Sequence, residues 1–359
     1  MALWAAGCMT VKEDLVVSED EGTRLWPAPP ERPRFAWEID LRSAADLVVD
    51  DEKSRMERLL TGATVTREPV FDKPTSVAAQ GGRIYVTDSV QRRIVVFDVP
   101  RRRVFAMGLR SPGTVQKPSS VAIDKRGMVY VADTSLRKVL VYDGLGLFQR
   151  TIGSPALLER PTGVAVDAAG ERIYVIDRGD VEGDRHRVLV FDAKGRLSSE
   201  IGRRGTAPGE FNIPVQGTVS PDGTLWVLDA GNFRVQGFDR DGRYLRSFGK
   251  PGNELGNFAR PRGIASDAEG RLYVSDASFG NVQIFTPEGQ LLIALGRASR
   301  RDRPGNYGLV LGVGVDETGR IYVVDQLFNK IDVLRPVDDA EAQRLLAQDE
   351  LSRSKKRAP

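Results

Sequence analysis

The apolar and polar positions of this 359-residue chain follow one phrase that recurs six times. In each copy, aliphatic residues flank one aromatic residue and an Asp closes the run. The copies are Arg83–Asp88, Met128–Asp133, Arg172–Asp177, Thr224–Asp229, Arg271–Asp276 and Arg320–Asp325. Short apolar runs of this kind predict β-strands. Their period of roughly 44 to 52 residues is that of β-propeller blades, whose units must pack against neighbours to bury their apolar faces.

Three more strand patterns accompany each phrase. An apolar strand precedes it, as at 118–123, and a following Gly such as Gly127 predicts a tight turn. A third strand follows, as at 139–142, and a fourth ends in Gly in most copies, as at Gly153. Four short antiparallel strands make one blade, so the pattern predicts an all-β, six-bladed propeller.

The repeat elements resemble the NHL repeat over residues 70 to 335. The resemblance is carried by Pro-x-Gly-Val-Ala-Val-Asp at 161–167, by the Tyr-Val-x-Asp phrases, and by Arg-Val-x-Val-Phe-Asp at 187–192. It implies a six-bladed β-propeller. Three copies depart from it: the first has Ala79-Gln80 where Asp is usual, the fourth has Ser220, and the sixth lacks the opening Pro.

The sixth copy also lacks a fourth strand, and an unpaired blade edge invites aggregation. We expect the N-terminus to supply it. Alternating Phe35, Trp37, Ile39 and Leu41 favour residues 34–41, while the rival segment 58–62 also reads as the end of a helix over 51–61. The expected organisation is an anchor or tether at 1–33, a propeller at 34–336, and a helix with a basic tail at 337–359.

Composition and the sequence around Cys8 indicate which partners and which cellular location to expect for this propeller. Net charge is +3, from 52 basic and 49 acidic residues, which does not favour a nucleic-acid partner. The single cysteine, Cys8, follows small residues as in a bacterial lipoprotein signal, and a Pro-rich stretch follows at 26–33. We therefore expect a lipid anchor at Cys8 and a place in the cell envelope, periplasmic or on the outer surface. Without lipidation the chain is expected in the cytoplasm.

Charged side chains recur at the end of each blade that carries the loops between second and third strands. The residue before each third strand is basic in five of six copies, and an Asp ends every second strand. These pairs either fix the loops or form a rim that binds a partner or an anion. The rim residues are Arg93, Lys138, Arg187, Arg234, Asn281 and Lys330.

Two loops add further candidate binding residues to those of the rim. The loop before the sixth copy holds four arginines, which make either a solvated loop or a docking patch. They are Arg297, Arg300, Arg301 and Arg303. An insertion in the third copy places Asp180, Glu182 and Asp184 in alternation, and these are weak candidates for Ca²⁺ ligands, although a solvated acidic loop fits them better.

The sequence offers few groups of side chains that could act together in catalysis. His186 is the only histidine, which argues against the metal-binding mechanism of propeller lyases related to this family. The positions that the family resemblance puts near the tunnel mouth are too small to cage a metal. They are Ser76, Ser120, Gly163, Gly217, Gly263 and Gly312. We expect no cofactor, with Ca²⁺ as the alternative.

Three functions remain open, and the first is favoured. It is a non-catalytic binding module, expected to be a monomeric propeller that presents one face to a protein partner. The resemblance to bacterial envelope proteins suggests a redox protein as that partner. The second is a lactonase-like hydrolase or a lyase that uses the central tunnel. The third is RNA binding, as in animal NHL proteins, which predicts a cytosolic chain and salt-sensitive affinity.

Overall fold

The computed structural model describes residues 24–47 and 68–357. Six antiparallel sheets surround a central axis, which confirms the predicted six-bladed propeller. Cys8, the rival closing segment 58–62 and the helix over 51–61 lie outside the described residues. Among the described residues, no helix has the length and apolarity needed to cross a bilayer.

Each of the first five blades has four strands, which we call inner, second, third and outer in chain order. Blade 1 comprises β3 Pro74–Gln80, β4 Arg83–Asp88, β5 Arg93–Asp98 and β6 Arg103–Met107. Blade 2 comprises β7 Pro118–Ile123, β8 Val129–Asp133, β9 Lys138–Tyr142 and β10 Phe148–Ile152. Blade 3 comprises β11 Pro161–Val166, β12 Arg172–Asp177, β13 Arg187–Asp192 and β14 Leu197–Ile201. Blade 4 comprises β15 Pro214–Val219, β16 Leu225–Asp229, β17 Arg234–Phe238 and β18 Tyr244–Phe248. Blade 5 comprises β19 Pro261–Ser266, β20 Leu272–Asp276, β21 Asn281–Phe285 and β22 Leu291–Leu295.

The sixth blade draws on both ends of the described chain. Its sheet order is β1-β2-β27-β26-β25. These strands are β1 Leu25–Trp26, β2 Phe35–Leu41, β25 Val310–Val315, β26 Ile321–Asp325 and β27 Lys330–Pro336. A two-stranded parallel pair, β23 Arg297–Ala298 and β24 Asn306–Tyr307, lies in the loop before it, and α1, Asp339–Arg357, follows it.

Strand β2 closes the ring. It pairs antiparallel with β27, from Phe35 opposite Pro336 to Leu41 opposite Ile331. The N–H of Val337 donates to Arg34 O at 2.9 Å and continues this pairing. The blade therefore has its outer strand from the N-terminal segment that the apolar alternation favoured, and β27 is not left as an open edge.

The apolar core lies between blades. Six clusters of buried side chains are present among the described residues, and each one joins two neighbouring blades. The cluster between blades 2 and 3, for example, includes Tyr130, Val141, Val164 and Phe191. Each blade thus buries both of its faces, which is why its second and third strands are apolar at almost every position.

The loops divide the ring into two faces. The upper face carries the loops from second to third strands and the loops that lead from one blade to the next. The lower face carries the turns from inner to second strands and from third to outer strands. The inner strands line a central tunnel with a cavity of about 190 Å³ among Val, Ala, Ile, Gly, Ser, Thr and Gln side chains of all six blades.

Candidate functional site

Buried carboxylates hold the loops of the upper face. Asp133 accepts the N–H groups of Gln116 and Lys117 at 2.6 and 2.9 Å, and those of Ser135 and Leu136 at 3.0 and 2.9 Å. It therefore joins the loop that enters its blade to the loop that follows its second strand. The corresponding carboxylates of the other blades also accept backbone N–H groups of the entering loop, and all six are fully buried. They are Asp88, Asp133, Asp177, Asp229, Asp276 and Asp325.

The rim residues before the third strands serve the same loops. The Arg93 guanidinium donates to Val70 O at 2.9 Å, and Arg234 donates to Asp229 at 3.0 Å and to Glu210 O at 2.8 Å. Arg187 lies 3.5 Å from Asp177 and donates to Leu157 O at 2.8 Å. The Asp–cation pairing predicted for every blade is thus observed in blades 3 and 4 within the described part of the chain.

The remaining rim positions differ from one another. Lys138 is half-buried beside Asp133 in register. Asn281 and Lys330 are buried, so neither side chain is presented to a partner. Lys330 lies 2.8 Å from Asp332 and 3.1 Å from Asp302, and it does not pair with Asp325. The rim is therefore a set of loop supports whose exposed contribution is smaller than the sequence suggested.

Three consecutive loops on the upper face have the same conformation, which was not predicted from the sequence. Gly209, Gly256 and Gly305 donate their N–H groups to the third-strand side chains of Gln236, Gln283 and Asp332, respectively. An aromatic residue two positions after each glycine is buried beneath the loop. These aromatic residues are Phe211, Phe258 and Tyr307. The repeated Gly-x-aromatic triplet is the signal that identifies these loops in the sequence.

The arginine-rich loop is the third of these structures. Asp302 anchors it by pairing with Arg42 at 2.6 Å and with Lys330 at 3.1 Å. Arg297 Nε donates to Asn306 Oδ1 at 3.2 Å, whereas Arg300 and Arg301 are exposed at the surface. The loop is fixed by its acidic residue and its buried aromatic residue, and it carries cationic side chains outward.

A charge cluster with Lys330 and Asp332 at its buried centre lies below that loop and links it to the closing strand. It contains Lys330, Asp332, Asp40, Asp302 and Arg42. Burial and the facing Asp40 carboxylate raise the pKa of Asp332 to about 7, and hydrogen bonding and the Lys330 charge lower the pKa of Asp40. The two carboxylates are directly opposite in the β2–β27 ladder, so one of them keeps a proton more readily.

Apolar side chains are exposed on the same upper face. Six large ones lie in its loops, and none of them was singled out from the sequence. They are Val90, Leu109, Leu157, Val181, Leu255 and Leu327. Leu327 is the most exposed of these at 60%. Apolar side chains placed between arginines are typical of protein-binding surfaces.

The insertion of the third blade is organised around His186. The ring is buried, with Nδ1 accepting the N–H of Ile213 at 3.2 Å and Nε2 donating to Asp180 O at 3.0 Å. The side chains of Asp180, Glu182 and Asp184 are exposed. In the part of the chain that the structure describes, no three His, Cys, Asp or Glu side chains are grouped so as to hold a metal ion.

The small residues assigned to the tunnel mouth serve close packing between blades. A Cβ at Gly312 would lie 2.8 Å from the Ser76 Cα, and one at Gly163 would lie 3.0 Å from the Gln216 Cα. Ser120 Oγ donates to Gln216 Oε1 at 3.1 Å and accepts the N–H of Val164 at 3.1 Å. These positions are small because neighbouring inner strands approach closely there, and Gln216 is one of the polar side chains that line the tunnel.

Comparison with known proteins defines the class of this molecule. No protein-family model matches the chain. It is 31% identical over 140 residues to Protein brain tumor of Drosophila melanogaster, covering 38% of this chain and 13% of that protein. It is 33% identical over 82 residues to the human E3 ubiquitin-protein ligase NHLRC1, covering 23% of this chain and 20% of that protein. The matched segments thus span a fifth or less of these relatives.

Solved structures agree on the fold. A Bacteroides thetaiotaomicron protein of unknown function aligns with a TM-score of 0.59 at 17% identity, covering 77% of this chain and 72% of that chain. A gluconolactonase from Xanthomonas campestris aligns with a TM-score of 0.55 at 19% identity, covering 74% and 88%. The molecule is a six-bladed β-propeller. Its repeats have NHL-repeat homologues at about 30% identity, which confirms the resemblance seen in the sequence.

Proposed function

We propose that this chain is a non-catalytic binding module that presents its upper face to a protein partner. The observation that carries the proposal is the construction of that face. Buried carboxylates fix its loops to the blades, and the loops expose apolar side chains and the arginines Arg300 and Arg301. A rigid surface with apolar anchors and guanidinium groups binds proteins at a low entropic cost.

The test compares the two faces of the ring. The variant Leu255→Glu/Leu327→Glu places carboxylates on the upper face, and Leu145→Glu/Leu147→Glu makes the same change in a lower-face turn. In affinity capture from the native source, we expect a stoichiometric partner to bind the wild type and the lower-face variant, with at least about tenfold weaker binding to the upper-face variant. Equal capture by both variants would contradict the proposal.

The cell envelope is the proposed location, with a lipid on Cys8 and an envelope redox protein as the proposed partner. Support comes from the sequence around Cys8. Mass spectrometry of the mature N-terminus tests this: a free, unprocessed Cys8 thiol would refute the anchor.

The alternative of a lactonase-like hydrolase or lyase places its chemistry in the tunnel. The propeller neighbours that include a gluconolactonase are below 20% identity and bear on the fold alone. The described tunnel lining offers the amide groups of Gln80 and Gln216 and hydroxyl groups among aliphatic side chains. Metal analysis of the purified protein, with lactone hydrolysis measured in parallel, distinguishes this alternative from the binding module.

A further inference from the structure

Two arginines at the inner rim of the upper face have no acidic partner. Arg262 is the second residue of β19, and Arg178 directly follows Asp177 at the end of β12. Within residues 24–47 and 68–357, neither guanidinium makes a hydrogen bond or an ion pair. Other arginines of the upper face form ion pairs; Arg234, for example, pairs with Asp229 at 3.0 Å.

Both side chains are half-buried rather than free in solvent. The Nε atoms of Arg178 and Arg262 are inaccessible to water and lack an acceptor. A buried N–H group without a partner costs free energy, so native structures rarely keep one. Two such groups of the same charge, near enough for the charge of Arg178 to lower the pKa of Arg262, indicate a site whose acceptor comes from outside the chain.

The surrounding charges are also positive. Burial and the charges of Arg260 and Arg178 lower the pKa of Arg262, and burial and the charge of Arg160 lower the pKa of Arg178. Two carboxylates oppose this effect, Asp276 at Arg262 and Asp180 at Arg178. Asp276 already accepts N–H groups from the entering loop, and Asp180 is exposed in the insertion, so neither carboxylate neutralises the cluster.

Equivalent positions in other blades show where Arg178 and Arg262 lie in the fold. Thr134 occupies the place of Arg178 in blade 2, and its hydroxyl donates to Pro161 O at the start of the next inner strand. Thr162 occupies the place of Arg262 in blade 3, and its Oγ1 donates to Pro214 O. Both positions therefore border the tunnel at its upper mouth, and blade 4 separates the two arginines.

We propose that Arg178 and Arg262 form a binding site for an oxyanion, a carboxylate or phosphate group, at the upper mouth of the tunnel. A planar guanidinium presents paired N–H donors that match the two oxygens of such a group. Arg160 and Arg260 add positive charge beside it. The ligand lies on the mouth rather than inside, because Ser120 and Gln216 are hydrogen-bonded to each other in the tunnel below.

Isothermal titration of the full-length protein with pyrophosphate and with citrate tests the site. The site variant is Arg178→Gln/Arg262→Gln. The control is Arg110→Gln/Arg137→Gln, which removes the same charge from exposed upper-face loops. We expect one anion per chain, at least about tenfold weaker binding in the site variant, and binding within about twofold of wild type in the control. Binding of pyrophosphate alone, or of citrate alone, identifies a phosphate or a carboxylate site, respectively.

Thermal unfolding supplies a second measurement that does not depend on affinity. Without added anion, Arg262→Gln is expected to be at least as stable as the wild type, since it removes a buried charge among like charges. Added anion is expected to raise the Tm of the wild type and leave that of the site variant unchanged. The proposal fails if neither anion binds the wild type, or if site and control variants lose binding equally. Because no protein partner takes part, either result leaves the proposed function standing.

Discussion

At the scale of single residues, one carboxylate per blade determines the shape of the upper face. The Asp that ends each second strand has a sequence position that is easy to see, and the sequence suggested a cation as its partner. In the structure the main partners are backbone N–H groups of two separate loops, as at Asp133. Sequence spacing reveals the Asp, but which N–H groups donate to its carboxylate depends on how neighbouring loops fold over it.

Loss of this carboxylate should destabilise the fold. Asp133→Ala removes a fully buried carboxylate that accepts four N–H groups, so we expect the free energy of unfolding to fall by about 2–4 kcal/mol. The control is Asp143→Ala in the same blade, where a partly exposed carboxylate accepts the N–H groups of Leu145 and Leu147 on the lower face. Urea unfolding should show a loss of about 1 kcal/mol there. Similar losses in both variants would contradict this account.

The fourth blade shows why some departures from the repeat could not be interpreted from sequence. In blades 2, 5 and 6 a tyrosine hydroxyl donates to the Asp at the turn, as Tyr273 does to Asp267 at 2.8 Å. Here Trp226 Nε1 donates to Ser220 Oγ at 3.1 Å. Gly237 makes room for the larger ring, since a Cβ there would lie 2.7 Å from the indole. The three substitutions compensate one another only when the strands are paired.

At the scale of elements, the blades and the closing strand follow directly from apolar periodicity. Phe35, Trp37, Ile39 and Leu41 alternate with other residues in the sequence, and the strand Phe35–Leu41 pairs with β27 as the pattern favoured, with a register shift between Trp37 and Ile39. The conformation of the three Gly-x-aromatic loops before blades 4, 5 and 6 could not be predicted from apolar periodicity. These loops are stabilised by third-strand side chains such as Gln236 and by buried aromatic residues such as Phe211. The arginines at the tunnel mouth were missed for a similar reason: sequence does not show which guanidinium groups lack a partner.

The buried cluster beside β2 should make stability depend on pH. Asp332 has a pKa near 4 when unfolded and about 7 in the fold, so the folded state binds the extra proton between these values. Wild-type stability should therefore fall as pH rises from about 4 to 7, by at most about 1.4 kcal/mol per pH unit. Asp332→Asn, which keeps an acceptor for Gly305 N–H, should remove this slope.

Urea unfolding at pH 5, 6, 7 and 8 measures the effect. The lowered pKa of Asp40 and the raised pKa of Lys330 produce their own changes outside this range, below pH 4 and above pH 10. Arg42 keeps its charge throughout this range, because its hydrogen bonds and ion pairs with Asp40 and Asp302 raise its pKa. Parallel curves for the wild type and Asp332→Asn would show that Asp332 ionises normally.

At the scale of the whole molecule, the ring depends on a joint between the two ends of the described chain. Five blades are continuous in sequence, whereas the sixth takes its outer strand from residues that precede the first. The ion pair of Arg320 with Glu38 at 2.7 Å and that of Arg335 with Glu341 at 2.6 Å flank this joint. Closure therefore couples the stability of β2 to that of the complete propeller.

A substitution inside β2 tests this coupling. Ala36 is fully buried, so Ala36→Asp should lower the free energy of unfolding by more than about 3 kcal/mol and expose the amides of Lys330–Pro336 to hydrogen exchange. Glu38→Gln, on the exposed side of the same strand, should cost less than about 1 kcal/mol. Unchanged exchange of β27 in Ala36→Asp would indicate that the joint does not hold the ring.

The pairing of β2 with β27 also gives the ring a direction-dependent response to force. Arg34 and Val337 meet at the same end of the antiparallel ladder. Pulling these two points apart breaks the hydrogen bonds one after another, as a zipper opens. Pulling residue 34 against a partner held on the opposite face loads the ladder along its length, so that its hydrogen bonds share the tension.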